Sequence, residues 1–243
     1  MHHVDMKTST LLASLAAAAA FTLALPAAHA ATPRSVVVAK GLANPWALAF
    51  LPDGRMLVTE RAGRLRIVDA QGRLGEPLAG LPAVAVMGQC GLLDVVVDPK
   101  FAETGLIFFS FAEPGNDGAN STAVARAKLS GDRLSDVRVI FRQAPKVASQ
   151  LHCGSRIVVA RDGRLWVGLG DRFSRKDDAQ TLDNHHGKTV RIDVDGKAPA
   201  DNPFVGRAGA LPEIWSLGRI GNSNAPQSPT TRPQPAKTGR LRQ

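Results

Sequence analysis

Three side chains in this 243-residue chain stand where chemistry could be done. His152 lies in Gln150-Leu151-His152-Cys153-Gly154-Ser155-Arg156, just ahead of the apolar run Ile157-Val158-Val159. Free imidazole titrates at about 6.5, so a neutral ring can take a proton from a hydroxyl at physiological pH. Gln89, in Gly88-Gln89-Cys90-Gly91-Leu92-Leu93, holds the same place before an earlier apolar run. Its amide both donates and accepts hydrogen bonds, and glycine on either side lets a ligand approach the backbone. Asp171 ends Gly168-Leu169-Gly170-Asp171, which reads as the exit of a third inner strand. Each has a plainer reading. A His beside a Gly at a strand entrance is more often a loop or core residue than a catalyst, and an Asp after a strand commonly caps a turn.

Other candidates carry less. His185-His186 precedes Gly187-Lys188; neighbouring side chains on a strand point to opposite faces, so the pair is read as solvated loop histidines rather than metal ligands. Asp177-Asp178 and Asp193-Val194-Asp195-Gly196 concentrate carboxylates without the spacing of a calcium loop. No nucleophile elbow and no phosphate loop is present.

The elements that must position these residues are strands. Trp46-Ala47-Leu48-Ala49-Phe50 runs into the turn Pro52-Asp53-Gly54, Met56-Leu57-Val58-Thr59 follows, and Arg64-Leu65-Arg66-Ile67-Val68 alternates as a half-buried strand does. The unit recurs around Asp98 and Asp162, 45 and 64 residues further on in turn. Each repeat is a strand, an Asp-containing turn, an apolar strand, a loop and an outer alternating strand. Irregular β repeats of this size point to propeller blades, with inner-strand entrances converging on a central channel. A β-sandwich is the alternative, but it does not call for the repeat.

Composition narrows the function. The formal charge is +9, yet Arg219, Arg232, Lys237, Arg240 and Arg242 all fall after Ile214 with no acid beside them, so the tail supplies much of it. Without a basic run interleaved with aromatics, no nucleic-acid partner is expected. Residues 1–30 read as a secretory signal: Lys7, an apolar stretch from Leu11 to Leu25, then Ala28-His29-Ala30 as a cleavage site. That stretch is shorter than the roughly 20 residues needed to span a bilayer, so a periplasmic or secreted chain with no membrane span in its mature form is expected. Residues 218–243, rich in Pro, Ser and Arg, read as a disordered tail.

Taken together, the motifs resemble the soluble pyrroloquinoline-quinone (PQQ)-dependent aldose or glucose/sorbosone dehydrogenases, which are six-bladed propellers. The resemblance rests on Gly41-Leu42-x-x-Pro45-Trp46 through Pro52-Asp53-Gly54, Gly88-Gln89-x-Gly91-Leu92-Leu93-Asp94, and His152-x-Gly154-x-Arg156. It continues through Leu169-Gly170-Asp171, Gly187-Lys188-x-Val190-Arg191, Asp201-Asn202-Pro203-Phe204 and Glu213-Ile214-Trp215-Ser216. It implies an all-β fold, a partial six-bladed propeller with about three blades, over residues 31–217. It implies oxidation of an aldose C1 hydroxyl to a lactone, with PQQ and calcium as cofactors and an external electron acceptor. His152 would be the general base and Gln89 a cofactor and substrate contact. Asp171 is placed on the substrate side, and no metal ligand is assigned in this chain.

Departures from the family pattern carry further expectations. After Ser216 the familiar His-Arg-Asn-Pro text is replaced by Leu217-Gly218-Arg219-Ile220, which reads as a shifted frame or early stop. A chain of about three blades is then expected to fold poorly and to lack activity, with Leu48, Phe50, Val158 and Trp166 left uncovered. A non-catalytic exported β-module that binds a sugar or a partner is the alternative function; a calcium-dependent lactonase would need channel carboxylates that are not found. Cys90 and Cys153 flank the two channel residues in an oxidising compartment. A bridge needs Cα atoms within roughly 7 Å, and inner strands of different blades are often farther apart, so two free thiols are favoured.

Overall fold

The computed structural model describes residues 34–218. The leader read at 1–30 and the tail beyond Gly218 lie outside the described residues. The chain divides into the units Met1–Val37 and Val38–Gln243, and every strand belongs to the second.

Three antiparallel sheets follow one another along the chain. The first joins β1 (Pro45–Phe50), β2 (Met56–Glu60) and β3 (Arg64–Val68). The second joins β4 (Leu92–Val97), β5 (Leu106–Pro114), β6 (Asn120–Ser130) and β7 (Arg133–Arg142). The third joins β8 (Gly154–Val159), β9 (Leu165–Leu169), β10 (Thr189–Ile192) and β11 (Ile214–Ser216). Each sheet is a sequential meander, as a propeller blade must be, and the three are consecutive blades of a partial propeller.

The repeated Asp turns explain why the hairpins recur. Asp53 Oδ1 accepts the Arg55 N–H at 3.1 Å, and Asp162 Oδ1 accepts the Arg164 N–H at 3.1 Å. The side chain supplies the bond that closes the turn, which is why Asp is needed there. Asp193 does the same for Asp195 and Lys197, at 2.9 and 2.8 Å, so the carboxylates near Asp195 belong to a turn. Asp98 Oδ1 likewise accepts the Lys100 N–H at 2.9 Å, and its Oδ2 accepts the Thr104 hydroxyl at 2.9 Å, at the end of the helical turn Phe101–Thr104 that follows.

Two apolar layers hold the blades together. Leu57, Leu65 and Ile67 of the first sheet pack with Leu92, Ile107, Phe109 and Phe111 of the second. On the other side Phe108 and Val124 pack with Ile157, Leu165, Val167 and Val190 of the third sheet. Strand β5 is therefore buried on both faces, which accounts for its apolar run, interrupted only by Ser110 between Leu106 and Ala112. Buried polar atoms stitch the same junctions. The Thr59 hydroxyl donates to the Leu93 carbonyl at 2.6 Å, the Ser110 hydroxyl to the Ser155 carbonyl at 2.9 Å, and Asp94 Oδ2 accepts the Ile157 N–H at 2.7 Å.

The outer faces differ from expectation in one respect. Leu48 and Phe50 are 50% and 70% exposed, whereas Trp166 is buried at 7%. Trp215 packs edge-on against Trp166 at 4.8 Å, and the Arg191 guanidinium lies over both rings. A cation spread over two indole faces covers apolar surface that the sequence reading left bare.

Candidate functional site

Two short segments meet ahead of β4 and β8. Gly88 has φ of +50°, and a Cβ there would lie 2.5 Å from the Gln150 carbonyl oxygen, so only glycine lets the backbones approach this closely. The Gln89 N–H donates to the Gln150 carbonyl at 2.9 Å, and Gln89 Oε1 accepts the His152 N–H at 2.8 Å. Arg61, which sequence reading passed over, braces this loop by donating to the Gly88 carbonyl at 2.7 Å.

His152 sits in the left-handed region with φ of +45°, a costly conformation for a residue other than glycine, and typical of constrained sites. Its Nδ1 lies 2.7 Å from Asp171 Oδ1. The ring is about one-third exposed while the carboxylate is almost wholly buried. Carboxylate oxygen accepts, so the proton is assigned to Nδ1, leaving the Nε2 lone pair outward. Asp171 Oδ1 also accepts the Phe173 N–H at 2.9 Å. Its turn-capping role and its contact with the imidazole are thus made by one oxygen. Asp171 follows β9, the second strand of its sheet rather than an inner one. It reaches His152 because Gly170, where a Cβ would sit 1.8 Å from the His152 carbonyl oxygen, lets the β9 exit run against the β8 entrance.

Beneath the imidazole lies a group that sequence gave no sign of. Arg172 is wholly buried, donating to Cys90 Sγ at 3.4 Å, the Ser149 carbonyl at 2.5 Å and the Asn120 amide oxygen. Burial pushes its pKa down to about 10, which leaves it charged at neutral pH. Phe173 emerges beside it, 60% exposed, its ring edge-on to His152 at 5.4 Å.

Cys90 and Cys153 are bonded, against the expectation of two free thiols. Their Cα atoms are 5.7 Å apart, within reach of a bridge, because the entrance segments touch before the strands diverge. The histidine pair is also not solvated: His185 is 5% and His186 0% exposed. His186 Nδ1 lies 2.9 Å from Asp178 Oδ2 and its Nε2 lies 3.1 Å from the Pro145 carbonyl. His185 Nδ1 accepts the Ala144 N–H at 3.0 Å, and its ring meets Phe141 edge-on. Lys188 is buried among them, donating to the carbonyls of Asp178 and His186. His185 Nε2 faces Glu213 Oε2 at 3.5 Å without a hydrogen bond, and the cluster does not join Gln89 and His152. Among the described residues no group of three or more His, Cys, Asp or Glu side chains could hold a metal ion.

Gln89, His152 and Asp171 thus form a compact polar array whose outward atoms are an imidazole nitrogen and an amide, suited to accepting a proton from a hydroxyl that the amide helps to orient. Known proteins share this sequence and this fold. Residues 42–232 match the family model for glucose / sorbosone dehydrogenase. The aldose sugar dehydrogenase YliI of Escherichia coli (strain K12) is 46% identical over 191 residues, covering 77% of this chain and 51% of that protein. The apo crystal structure of the soluble aldose sugar dehydrogenase from Escherichia coli superposes with TM-score 0.73 at 43% identity, covering 76% of this chain and 54% of that one. The PQQ-bound aldose sugar dehydrogenase of Streptomyces coelicolor gives TM-score 0.65 at 30% identity, covering 76% and 53%. The chain spans about half the length of these relatives. With its ordered motifs, its blades and most of its described length all matched, the chain belongs to the glucose/sorbosone dehydrogenase family.

Proposed function

We propose that this chain carries the proton-accepting half of a PQQ-dependent aldose dehydrogenase site, in an exported protein that oxidises a sugar C1 hydroxyl to the lactone and passes electrons to an external acceptor. The observation that carries the proposal is the 2.7 Å contact between His152 Nδ1 and buried Asp171. It fixes the tautomer in which Nε2 is the base. The C1 hydroxyl donates to Nε2, and the proton moves onto the ring as C1 is oxidised. The resulting imidazolium is stabilised by the carboxylate behind it. Gln89, with Oε1 engaged by the His152 N–H, keeps its amide N–H groups to orient the sugar or the cofactor. PQQ, when bound, supplies the two-electron acceptor chemistry.

The fit to the cofactors is partial. The open Nε2 of His152 and the amide of Gln89 suit a ligand presenting a hydroxyl and a quinone oxygen. The Arg172 guanidinium is enclosed, with Nη1 and Nη2 engaged within the protein and Nε buried without a partner, and so is unavailable to PQQ carboxylates. For calcium the described residues offer no cluster, so no step is derived through it, and it enters the assay because the family resemblance implies it. The test is dye reduction with PQQ, calcium and a panel of aldoses by this chain joined to the second half of a relative, repeated with His152→Ala. Aldose-dependent turnover that drops by roughly 10²-fold or more in the variant is expected. Equal turnover with and without the imidazole would count against the reading.

A further inference from the structure

Both residues with outward chemistry are followed directly by a half-cystine: Gln89 by Cys90, His152 by Cys153. The bond ties segments 63 residues apart in sequence, and both cysteines are buried. Its surroundings are specific. Arg172 Nη1 donates to Cys90 Sγ at 3.4 Å, Arg61 Nη1 to the Cys90 carbonyl at 3.3 Å, and the Thr122 hydroxyl to the Cys153 carbonyl. The sheets themselves have other fastenings at this junction. Asp94 holds the Ile157 N–H, Ser110 holds the Ser155 carbonyl, and the apolar layer around Phe108 lies behind them. The His152 segment is held otherwise. His152 precedes β8 and lies outside its ladder, with positive φ; its peptide N–H is held by the side chain of Gln89 and its carbonyl accepts the Arg172 N–H at 3.3 Å.

We propose that the Cys90–Cys153 bridge is a positioning element of the site. With the bond formed, Gln89 stays on the His152 N–H and the imidazole stays on Asp171; with it open, that placement is lost while the sheets persist. The proposal rests on the reading of His152 as proton acceptor. Opening the bridge is a two-electron reduction. A dithiol supplies two electrons and two protons, the S–S bond breaks, two cysteine thiols form, and the dithiol closes to its own disulfide.

The experiment poises the full chain in graded dithiol redox buffers and follows three quantities in the same samples. These are free thiols, the circular dichroism of the sheets, and the rate at which diethyl pyrocarbonate labels each histidine, resolved by peptide mass spectrometry. His185 and His186, buried elsewhere, serve as internal references. As thiols appear, His152 labelling should change several-fold while the sheet signal and both reference histidines hold steady. Cys90→Ser/Cys153→Ser should match the reduced chain, and reoxidation of the unaltered chain should restore the starting rate. In a chain that turns over, opening the bridge should lower kcat on the order of 10²-fold, with KM moving less. His152 labelling that ignores thiol release, or that changes only in step with loss of the sheet signal, would overturn the proposal. Dye reduction by the bridged chain joined to a relative's second half that persists in His152→Ala would instead weigh against His152 as the base, and the labelling result would still be readable.

Discussion

Asp171 Oδ1 receives both the His152 ring and the Phe173 peptide N–H, so one buried atom sets the tautomer of the imidazole and the exit of the loop. Asp171→Asn keeps the shape, but its amide can donate to Nδ1 and so favour the tautomer that puts the proton on Nε2. We expect kcat for aldose oxidation to fall by roughly 10²-fold or more, with the sheet signal unchanged; a wild-type rate in this variant would contradict the assigned tautomer. At this scale the sequence was informative about types and poor about partners. Gln89 and His152 were visible because each stands at a strand entrance with a glycine two residues further on. Arg172 was not, since nothing in Gly170-Asp171-Arg172-Phe173 tells a buried guanidinium from a solvated one. Its burial follows from two successive left-handed residues, Arg172 and Phe173, which turn one side chain inward and the next outward.

The connection between β9 and β10 shows why an element can mislead where its ends do not. Its two strands were read from apolar runs, and they pair as expected, with Thr189 opposite Gly168. The histidine pair in the connection read as solvated because it is polar. Inside the fold His186, Asn184 and Lys188 bond to one another and to half-buried Asp178, while Asp177 stays exposed. Burial pushes the Lys188 amine down to about 8 from its ordinary 10.5, against the opposing pull of the Asp178 and Asp183 carboxylates. Below pH 8 both the folded and the unfolded chain carry that proton, and the folded state bears the full cost of a buried charge. Between about pH 8 and 10.5 the unfolded chain binds the proton and the folded chain does not, so this residue's contribution to stability improves as pH rises. Urea midpoints measured from pH 7.5 to 10 should therefore gain an upward component that Lys188→Met removes. Parallel profiles for the two proteins would show that the amine is not desolvated.

Across the whole molecule, the blades were legible because Asp turns and apolar strands recur, and their junctions were not, because contacts between blades join residues far apart in sequence. The same limit hid the Cys90–Cys153 bond. Burial ranks the phenylalanines by consequence. Phe109, wholly enclosed between the first and second sheets, should cost about 3–5 kcal/mol on change to Ala. Phe50, 70% exposed on β1, should change stability by only about 0.5 kcal/mol on change to Ser. Urea denaturation of the two variants beside the parent decides it, and equal losses would mean that β1 is covered in solution.

Strand β5 has a further consequence. An ordinary half-buried strand declares its own alignment, since sliding by one residue turns its oily face to water. In β5 such a slide only exchanges Phe108 for Phe109, ring for ring, and the apolar layers on either side would barely register the error. What does register it is Ser110, which would swing away from the Ser155 carbonyl and leave Asp94 N–H, its other partner at 3.0 Å, without an acceptor. Greasy contact supplies most of the adhesion between these blades and says little about where they belong. A few hydroxyls and one carboxylate, small in number and enclosed, carry the information that aligns the rest.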